Sequence, residues 1–189
     1  MIGGPPDIDV DFSAGWVSVT SDDDLATWAP DAARQLWARS GGEPGSGFDV
    51  QLLAAELELA AKCALVVPCF GAFVFCPELP RGPRAVLRMS GLAYPVGTDE
   101  QEILDAILIP AEQQLLPPQI GQLAGPGLRC LRVRQRAWST DTGAVTDHIA
   151  YVLPFDGGAW MLSTAMPDPR EAERWLADLD ELAAGVQLR

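Results

Sequence analysis

Histidine and lysine are nearly absent from this chain of 189 residues. His148 is the only histidine and Lys62 is the only lysine, against 12 arginines. Any acid–base or nucleophilic mechanism that uses an imidazole must therefore use His148. The motifs G-x-S-x-G, G-x-G-x-x-G and G-x4-G-K-[ST] are absent as well, so acyl transfer and nucleotide binding lack their usual signatures. We predict no catalytic residue and no cofactor.

Cysteine is scarce and its spacing is irregular. The four cysteines are Cys63, Cys69, Cys76 and Cys130. None of them forms the C-x2-C pair that places two thiolates on one zinc ion, and no second histidine is present to complete such a site. We therefore expect free thiols that mostly fill the core, and no metal site.

Long hydrophobic runs are missing too. The longest apolar stretch, Cys63–Phe75, is interrupted by Pro68 and Gly71 and is shorter than the roughly 20 residues that a membrane helix needs. The first residues lack the basic and apolar regions of a signal peptide. The expectation is a cytoplasmic protein without a membrane span.

Acidic residues dominate the charge. The 26 acidic residues against 13 basic ones give a net charge of -13, which disfavours nucleic acid and favours a protein partner with a basic surface. Asp7, Asp9 and Asp11 lack the glycine and the terminal acid of a calcium loop, so they are interpreted as the solvent face of a strand. The run Asp22–Asp24 is typical of a helix start.

Periodicity and turn residues predict alternating strands and helices. Ile8–Phe12 and Trp16–Val19 predict a β-hairpin. Ser21 predicts the cap of a helix that ends at Arg39 and becomes regular near Ala29, because Pro30 interrupts it, with Ala33, Leu36 and Trp37 on its buried face. The other predicted elements are a helix at Asp49–Lys62 that buries Leu52, Leu53, Leu57 and Ala60, strands at Leu65–Val67, Ala72–Phe75 and Arg84–Met89, a helix from Thr98 to Pro110, an antiparallel meander of strands at Leu128–Ser139, Thr146–Pro154 and Ala159–Met166, and a last helix capped by Asp168.

This order of elements predicts an α+β fold, with an antiparallel sheet of about six to seven strands sandwiched by helices. We expect one domain over residues 1–189, with a flexible Gly/Pro/Ser loop at 40–47. The segment Tyr151–Pro167 with its following amphipathic helix, and the early Gly15-Trp16 strand, resemble uncharacterised actinobacterial proteins of the PsbP-like α/β/α superfamily. The resemblance implies a binding scaffold, and it carries over no functional residue.

Arginines form a pattern that stands out from the acidic background. Arg132, Arg134 and Arg136 alternate with Val133 and Gln135, so the three guanidinium groups share one face of a predicted strand. Such a face can bind carboxylate or phosphate groups in bidentate geometry. The alternative is a solvated face that nearby acidic residues neutralise.

Four further residues complete the predicted partner-binding set. Arg84 and Arg88 would join the arginine cluster if their strand lies beside that of Arg132 to Arg136. Trp138 and Trp160 lie near strand ends and are predicted to be exposed interface anchors.

Three functions are compatible with these observations. The leading hypothesis is a non-enzymatic protein-binding or accessory module of a larger bacterial assembly. The first alternative is an immunity-type inhibitor whose acidic surface blocks a basic toxin enzyme. The second alternative is a small-molecule binder or an enzyme that uses a pocket between sheet and helices near His148, with that histidine or a cysteine as its polar group.

Overall fold

The computed structural model of the protein describes residues 8–10, 15–41, 47–124, 129–138, 143–155 and 157–188. Its helices are α1 (Leu25–Arg39), α2 (Gly47–Leu65), α3 (Glu100–Ile107) and α4 (Pro169–Ala184). Its strands are β1 (Ile8–Val10), β2 (Trp16–Thr20), β3 (Gly71–Phe75), β4 (Ala85–Ala93), β5 (Gln119–Leu123), β6 (Cys130–Trp138), β7 (Val145–Phe155), β8 (Gly158–Met166) and β9 (Val186–Leu188). Asp7, Asp11 and most of the predicted loop at 40–47 lie outside the described residues.

A seven-stranded antiparallel sheet forms the centre of the fold, with the strand order β2-β3-β4-β8-β7-β6-β5. This confirms the predicted α+β fold and the predicted number of strands. Strands β6, β7 and β8 form the predicted meander, with unbroken registers from Leu131↔Val152 to Phe155↔Gly158. The chain divides into an N-terminal unit (residues 12–90) and a C-terminal unit (residues 91–189 with β1). The interpretation as one domain stays a prediction.

The N-terminal unit is built from a pair of helices on strands β2 to β4. Alternation along the strands and helical spacing along α1 and α2 direct their apolar side chains into one cluster. That cluster includes Val17, Val19, Ala29, Ala33, Leu36, Leu53, Leu57, Ala61, Ala72 and Val74. The core positions predicted for α1 are confirmed for Ala33 and Leu36.

The start of α1 differs from the prediction. Asp24 caps the helix in place of Ser21, and its side chain accepts a hydrogen bond of 3.2 Å from the backbone N–H of Ala26. The helix is continuous through Pro30, so the prediction that it becomes regular only near Ala29 is wrong. Proline removes one backbone hydrogen bond, and the burial of Ala29 and its neighbours in the core keeps the helix intact.

The C-terminal unit places one helix on each face of its strands. Helix α3 packs against the face that carries Leu131, Val133 and Val152. Helix α4 lies on the opposite face and begins at the predicted cap, Asp168, which accepts a hydrogen bond of 2.9 Å from the N–H of Arg170. These two helices sandwich the strands of this unit, and α4 covers the face on which the arginines lie.

The predicted N-terminal β-hairpin is wrong. Strand β1 pairs with β9, with Val10 opposite Val186. Strand β2 pairs with β3, where the ring of Trp16 stacks on that of Phe75 with centroids 4.5 Å apart. A contact between strands distant in sequence therefore replaces the local turn, because stacking two large rings buries more apolar surface than the turn offers.

Two smaller predictions also fail. Leu65–Val67 is not a strand, because α2 continues through Leu65 and the side chains of Val66 and Val67 are exposed. Strand β5 was not predicted, since Ile120 is the only β-branched residue between Gln119 and Leu123 and weak local β-propensity gives little signal. Pairing with β6 stabilises this strand although its local β-propensity is weak.

Candidate functional site

The three arginines of β6 lie on one sheet face, as their alternation predicts. This arginine face, formed by Arg132, Arg134 and Arg136, is covered by α4, whose Glu173 and Asp180 reach down to it. Each guanidinium group therefore meets acidic side chains from its own chain. The placement agrees with the neutralised alternative that the sequence left open.

Asp147 on β7 anchors the centre of this network. It is fully buried, lies opposite Arg136 in the register, and accepts hydrogen bonds of 2.6 Å and 3.0 Å from Nε and Nη2 of Arg136. Its Oδ2 also accepts bonds of 3.0 Å and 2.5 Å from Nε and Nη2 of Arg134. A buried carboxylate is stable only when it is paired in this way.

The pKa of Asp147 reflects this balance. Burial alone would raise it, but the hydrogen bonds from Arg136 and Arg134 and their positive charges outweigh burial, so the pKa of Asp147 lies below its ordinary value. Burial likewise acts to lower the pKa of Arg134, while its bonds to Asp147 and Glu173 raise it above the ordinary value. Asp147 and both arginines are therefore ionised together at neutral pH.

Arg132 occupies a separate part of the same face. Its Nη1 donates a hydrogen bond to Asp180 Oδ2, and the hydroxyl of Tyr151 donates to Asp180 Oδ1 at 2.8 Å. Burial, followed by the charge of Asp180, raises the pKa of Tyr151, so the phenol keeps its proton and acts as a donor. Asp180 thus fixes α4 to two neighbouring strands.

A cleft of about 150 Å³ opens beside this network. Arg134, Arg136 and Glu173 line its charged side, and Leu116, Pro117 and Gln119 line the other. Glu173 accepts a hydrogen bond of 2.7 Å from Arg134 Nη1 although its side chain is 70% exposed. The cleft combines guanidinium groups with an apolar wall, a chemistry suited to a carboxylate on an apolar segment.

The remaining predicted partner-binding residues do not join this site. Strand β6 pairs with β5 and β7, so the strand of Arg84 and Arg88 is not its neighbour. Both residues lie in the N-terminal unit, where Arg84 is 4.0 Å from Glu78. The condition under which all five arginines would cluster is therefore not met.

The two tryptophans differ. Trp138 ends β6 and is 47% exposed, as predicted. Trp160 is only 4% exposed, so its predicted exposure is wrong. It stands opposite Leu153 within β8 and its ring packs near that of Phe155, at 6.4 Å. Proximity to a strand end in sequence did not reveal that neighbouring side chains cover it. A role of these residues in partner binding stays a prediction.

His148, a cysteine and a carboxylate do not form one cluster suited to a metal ion among the described residues. Asp147 and His148 are adjacent in β7 and point to opposite faces, as predicted. Burial lowers the pKa of His148, with the charge of Asp147 opposing. Cys76 and Cys130 are buried thiols whose pKa burial raises to about 12. No group of three or more His, Cys, Asp or Glu side chains suited to a metal ion occurs in the described ranges.

The outer face of α2 is a functional candidate that the sequence interpretation missed. Leu52 was predicted to be buried, but it is exposed on α2 together with Leu59, seven residues further on, and Val66, directly after the helix end, is exposed as well. Val67 and Phe70 extend the exposed apolar surface beyond the helix end. The signal was present in the sequence, because helical spacing places Leu52 and Leu59 opposite the core residues Leu57 and Ala61. No helix in the described part of the chain is long and apolar enough to cross a membrane.

Comparisons with known proteins give few matches. No protein-family model and no curated protein matches the chain. Among solved structures, a Bacteroides thetaiotaomicron VPI-5482 protein is 11% identical over 63% of this chain and 38% of its own length, with a TM-score of 0.40. LpqN, involved in cell envelope biogenesis of Mycobacterium tuberculosis, is 14% identical over 99% of this chain and 87% of its own, with a TM-score of 0.46.

A cyanobacterial PsbP from Synechocystis sp. PCC 6803 is 10% identical over 100% of this chain and 95% of its own, with a TM-score of 0.45. A PsbP protein is thus among the similar structures, in line with the resemblance in the order of elements. The finer expectation of an actinobacterial family stays a prediction. TM-scores below 0.5 support no statement about what this chain binds.

Proposed function

We propose that this chain is a non-enzymatic protein-binding module, an accessory part of a larger bacterial assembly in the cytoplasm. The observation that carries the proposal is the exposed stripe of α2. Leu59 and Val66 are 64% and 79% exposed, and Leu52, Val67 and Phe70 are about half exposed. Large contiguous apolar patches are rare on monomers and mark interaction sites.

The geometry of the stripe fits a partner helix. Residues spaced by seven lie close together on one side of a helix, so Leu52 and Leu59 form a seam on α2, and Val66 follows directly after the last helical residue, Leu65. A partner helix that lays its apolar face along this seam covers it by helix-in-groove recognition. The net charge of -13 favours a partner whose helix is flanked by lysine and arginine.

The charges along α2 leave this seam open. Lys62 pairs with Glu58 at 2.5 Å on the same helix, and the carboxylate of Glu56 lies against Gly82 in the 3-10 turn Leu79–Arg81 and its cap. These charged groups are therefore occupied within the unit and do not shield Leu59. A partner therefore contacts exposed apolar side chains beside the Lys62–Glu58 ion pair, whose two charges cancel.

The test uses two valines of equal exposure. Val66 and Val96 are 79% and 78% exposed, so Val66→Glu and Val96→Glu add the same charge to similar surfaces and both should change stability by less than about 0.5 kcal/mol. We expect a partner that copurifies with the tagged wild type at fixed stoichiometry from its native cells to be lost with Val66→Glu and retained with Val96→Glu. Equal retention by both variants would count against the proposal.

A further inference from the structure

Strand β5 presents an open edge. It ends the strand order, and its register places Gln119, Gly121 and Leu123 opposite Arg134, Arg132 and Cys130. The N–H of Leu115 bonds to the carbonyl of Arg136 at 2.9 Å, so the even-numbered residues of β6 direct their backbone groups toward β5. Antiparallel ladders alternate. The backbone groups of Ile120 and Gln122 therefore point away from β6, and no hydrogen bond reaches them from the described residues.

The sequence does not guard this edge. Residues 113–128 contain no acidic or basic side chain, although edge strands are usually protected by charges, lysine above all. Leu115, Leu116 and Ile120 are each about half exposed. An unguarded, uncharged edge with apolar side chains is a surface that accepts another strand.

The cleft beside β5 lies within reach of such a strand. Side chains of an added strand opposite Gln119 and Gly121 point to the arginine face. Gly121 puts no side chain in the way, and among the described residues Arg132 Nη2, at 3.9 Å, is the one group within 4 Å of the position that a Cβ of residue 121 would take. The added strand would lie about 10 Å from β6, two strand spacings, a distance that an arginine and a glutamate side chain span together.

Glu173 fills the acidic position of the cleft in the free chain. Arg134 and Arg136 share the single buried carboxylate of Asp147, and Glu173 supplies the second negative charge from an exposed side chain. Arg136 uses Nε and Nη2 for Asp147, and the charge of Glu173 also acts on this arginine, raising its pKa. An exposed ion pair contributes little, so a second carboxylate can take the place of Glu173.

We propose that an extended segment of a partner polypeptide adds to β5 as a further strand and places one carboxylate on Arg134 and Arg136, in place of Glu173. The backbone edge gives affinity and the arginine pair gives selectivity. The segment carries no further acidic residue, because the net charge of -13 repels a polyanion. This site lies in the C-terminal unit and goes beyond the α2 proposal.

The test uses the full chain and two peptides that differ by one group. Acetyl-Thr-Val-Thr-Glu-Thr-Val-Thr-amide places glutamate between two valines on one face of a strand, and the control peptide carries glutamine in its place. Calorimetry at low salt should show about tenfold tighter binding of the glutamate peptide. Acetate alone should not bind measurably. Equal affinity for the two peptides, or acetate binding as tightly as the peptide, would overturn the proposal.

Single substitutions test the arginine pair and the backbone edge of β5 separately. Glu173→Gln removes the internal competitor and should tighten binding of the glutamate peptide severalfold, whereas Arg136→Gln should abolish the preference for glutamate. Gln122→Pro removes an outward N–H at an edge position that tolerates proline and should abolish binding of both peptides, while Gln122→Thr should retain it. Unchanged binding by Gln122→Pro would contradict strand addition. Val66→Glu should leave peptide binding intact, so this proposal and the α2 proposal fail separately.

Discussion

The two edge strands of the sheet, β2 and β5, differ in whether side chains form hydrogen bonds with their outward backbone groups. On β2, the carbonyl of Ser18 accepts a hydrogen bond of 2.7 Å from the indole N–H of Trp28, and that of Trp16 accepts one of 2.9 Å from Arg39. The N–H of Thr20 donates to Asp23 at 2.6 Å. On β5, the outward groups of Ile120 and Gln122 have no such bonds within the described ranges.

Protection of an edge strand therefore depends on particular side chains that form hydrogen bonds with its outward backbone groups. Trp28 and Arg39 both extend from α1, so the helix that covers the core of the N-terminal unit also closes the edge beside it. Beside β5, α4 brings Glu173 and Asp180 to the arginine face and nothing to the backbone edge. Under our proposal, the edge of β5, which has no sheet partner among the described residues and carries no charge, is the surface for strand addition.

The largest expected effect comes from removing the anchor of the face beside β5. Asp147→Asn leaves Arg134 and Arg136 without their shared charge in a buried site, and loss of one partner of a buried pair costs about 3–5 kcal/mol. Denaturant unfolding measures the change. The control is Glu173→Gln, which removes an exposed partner of the same Arg134 and should cost less than about 1 kcal/mol. Equal losses would show that burial does not set the value of this network.

Acid unfolding gives an independent check on the same residue. The folded pKa of Asp147 lies below its ordinary value of 3.8, so its stabilising contribution is present above pH 3.8 and is lost as the pH falls through the folded pKa. The wild type should lose unfolding free energy over this range more steeply than Asp147→Asn. Parallel pH profiles would contradict the assignment of a stabilising charge to Asp147.

A smaller effect is expected on the protected edge. Trp28→Phe removes the hydrogen bond to the carbonyl of Ser18, and the unfolding free energy should fall by about 1 kcal/mol more than the loss of packing alone would cause. Trp37→Phe is the matched control, because the buried indole N–H of Trp37 has no hydrogen-bond partner among the described residues and only packing changes. Denaturant unfolding compares the two variants, and sedimentation tests whether the opened edge of β2 associates. Equal costs in the two variants would mean that the indole bond contributes nothing.

The sequence predicted the elements whose signals are local. The meander and the last helix follow from alternation, turn residues and the Asp168 cap, and the structure confirms them. The β1–β9 and β2–β3 pairs could not be predicted because they join segments far apart in the chain, and no local pattern encodes which distant strand offers the better packing. Strand β5 was not predicted for a different reason, because its sequence has little local β-propensity.

The candidate site was predicted in part. Period-two alternation was sufficient to place Arg132, Arg134 and Arg136 on one face. It could not show that Asp147, 11 residues after Arg136, would lie directly opposite that arginine, because the register of a hairpin depends on its turn. Nor could it show that Glu173 would reach Arg134 across 39 residues. The exposed apolar residues of α2 were detectable in the sequence, but the prediction placed Leu52 on the buried face together with Leu53 and Leu57.

The smallest effect on stability is expected from a substitution that gives β5 the protection that an edge strand usually has. Ile120→Lys gives β5 the charged guard that its sequence lacks, and because Ile120 is 48% exposed on an edge, the unfolding free energy should change by less than about 0.5 kcal/mol. Binding of the glutamate peptide should nevertheless be lost, as calorimetry can show. Leu115→Lys, at the equal exposure of 48% but outside β5, should weaken it much less. If both lysines act alike, added positive charge rather than the edge controls binding, and β5 would be no more open to a strand than β2.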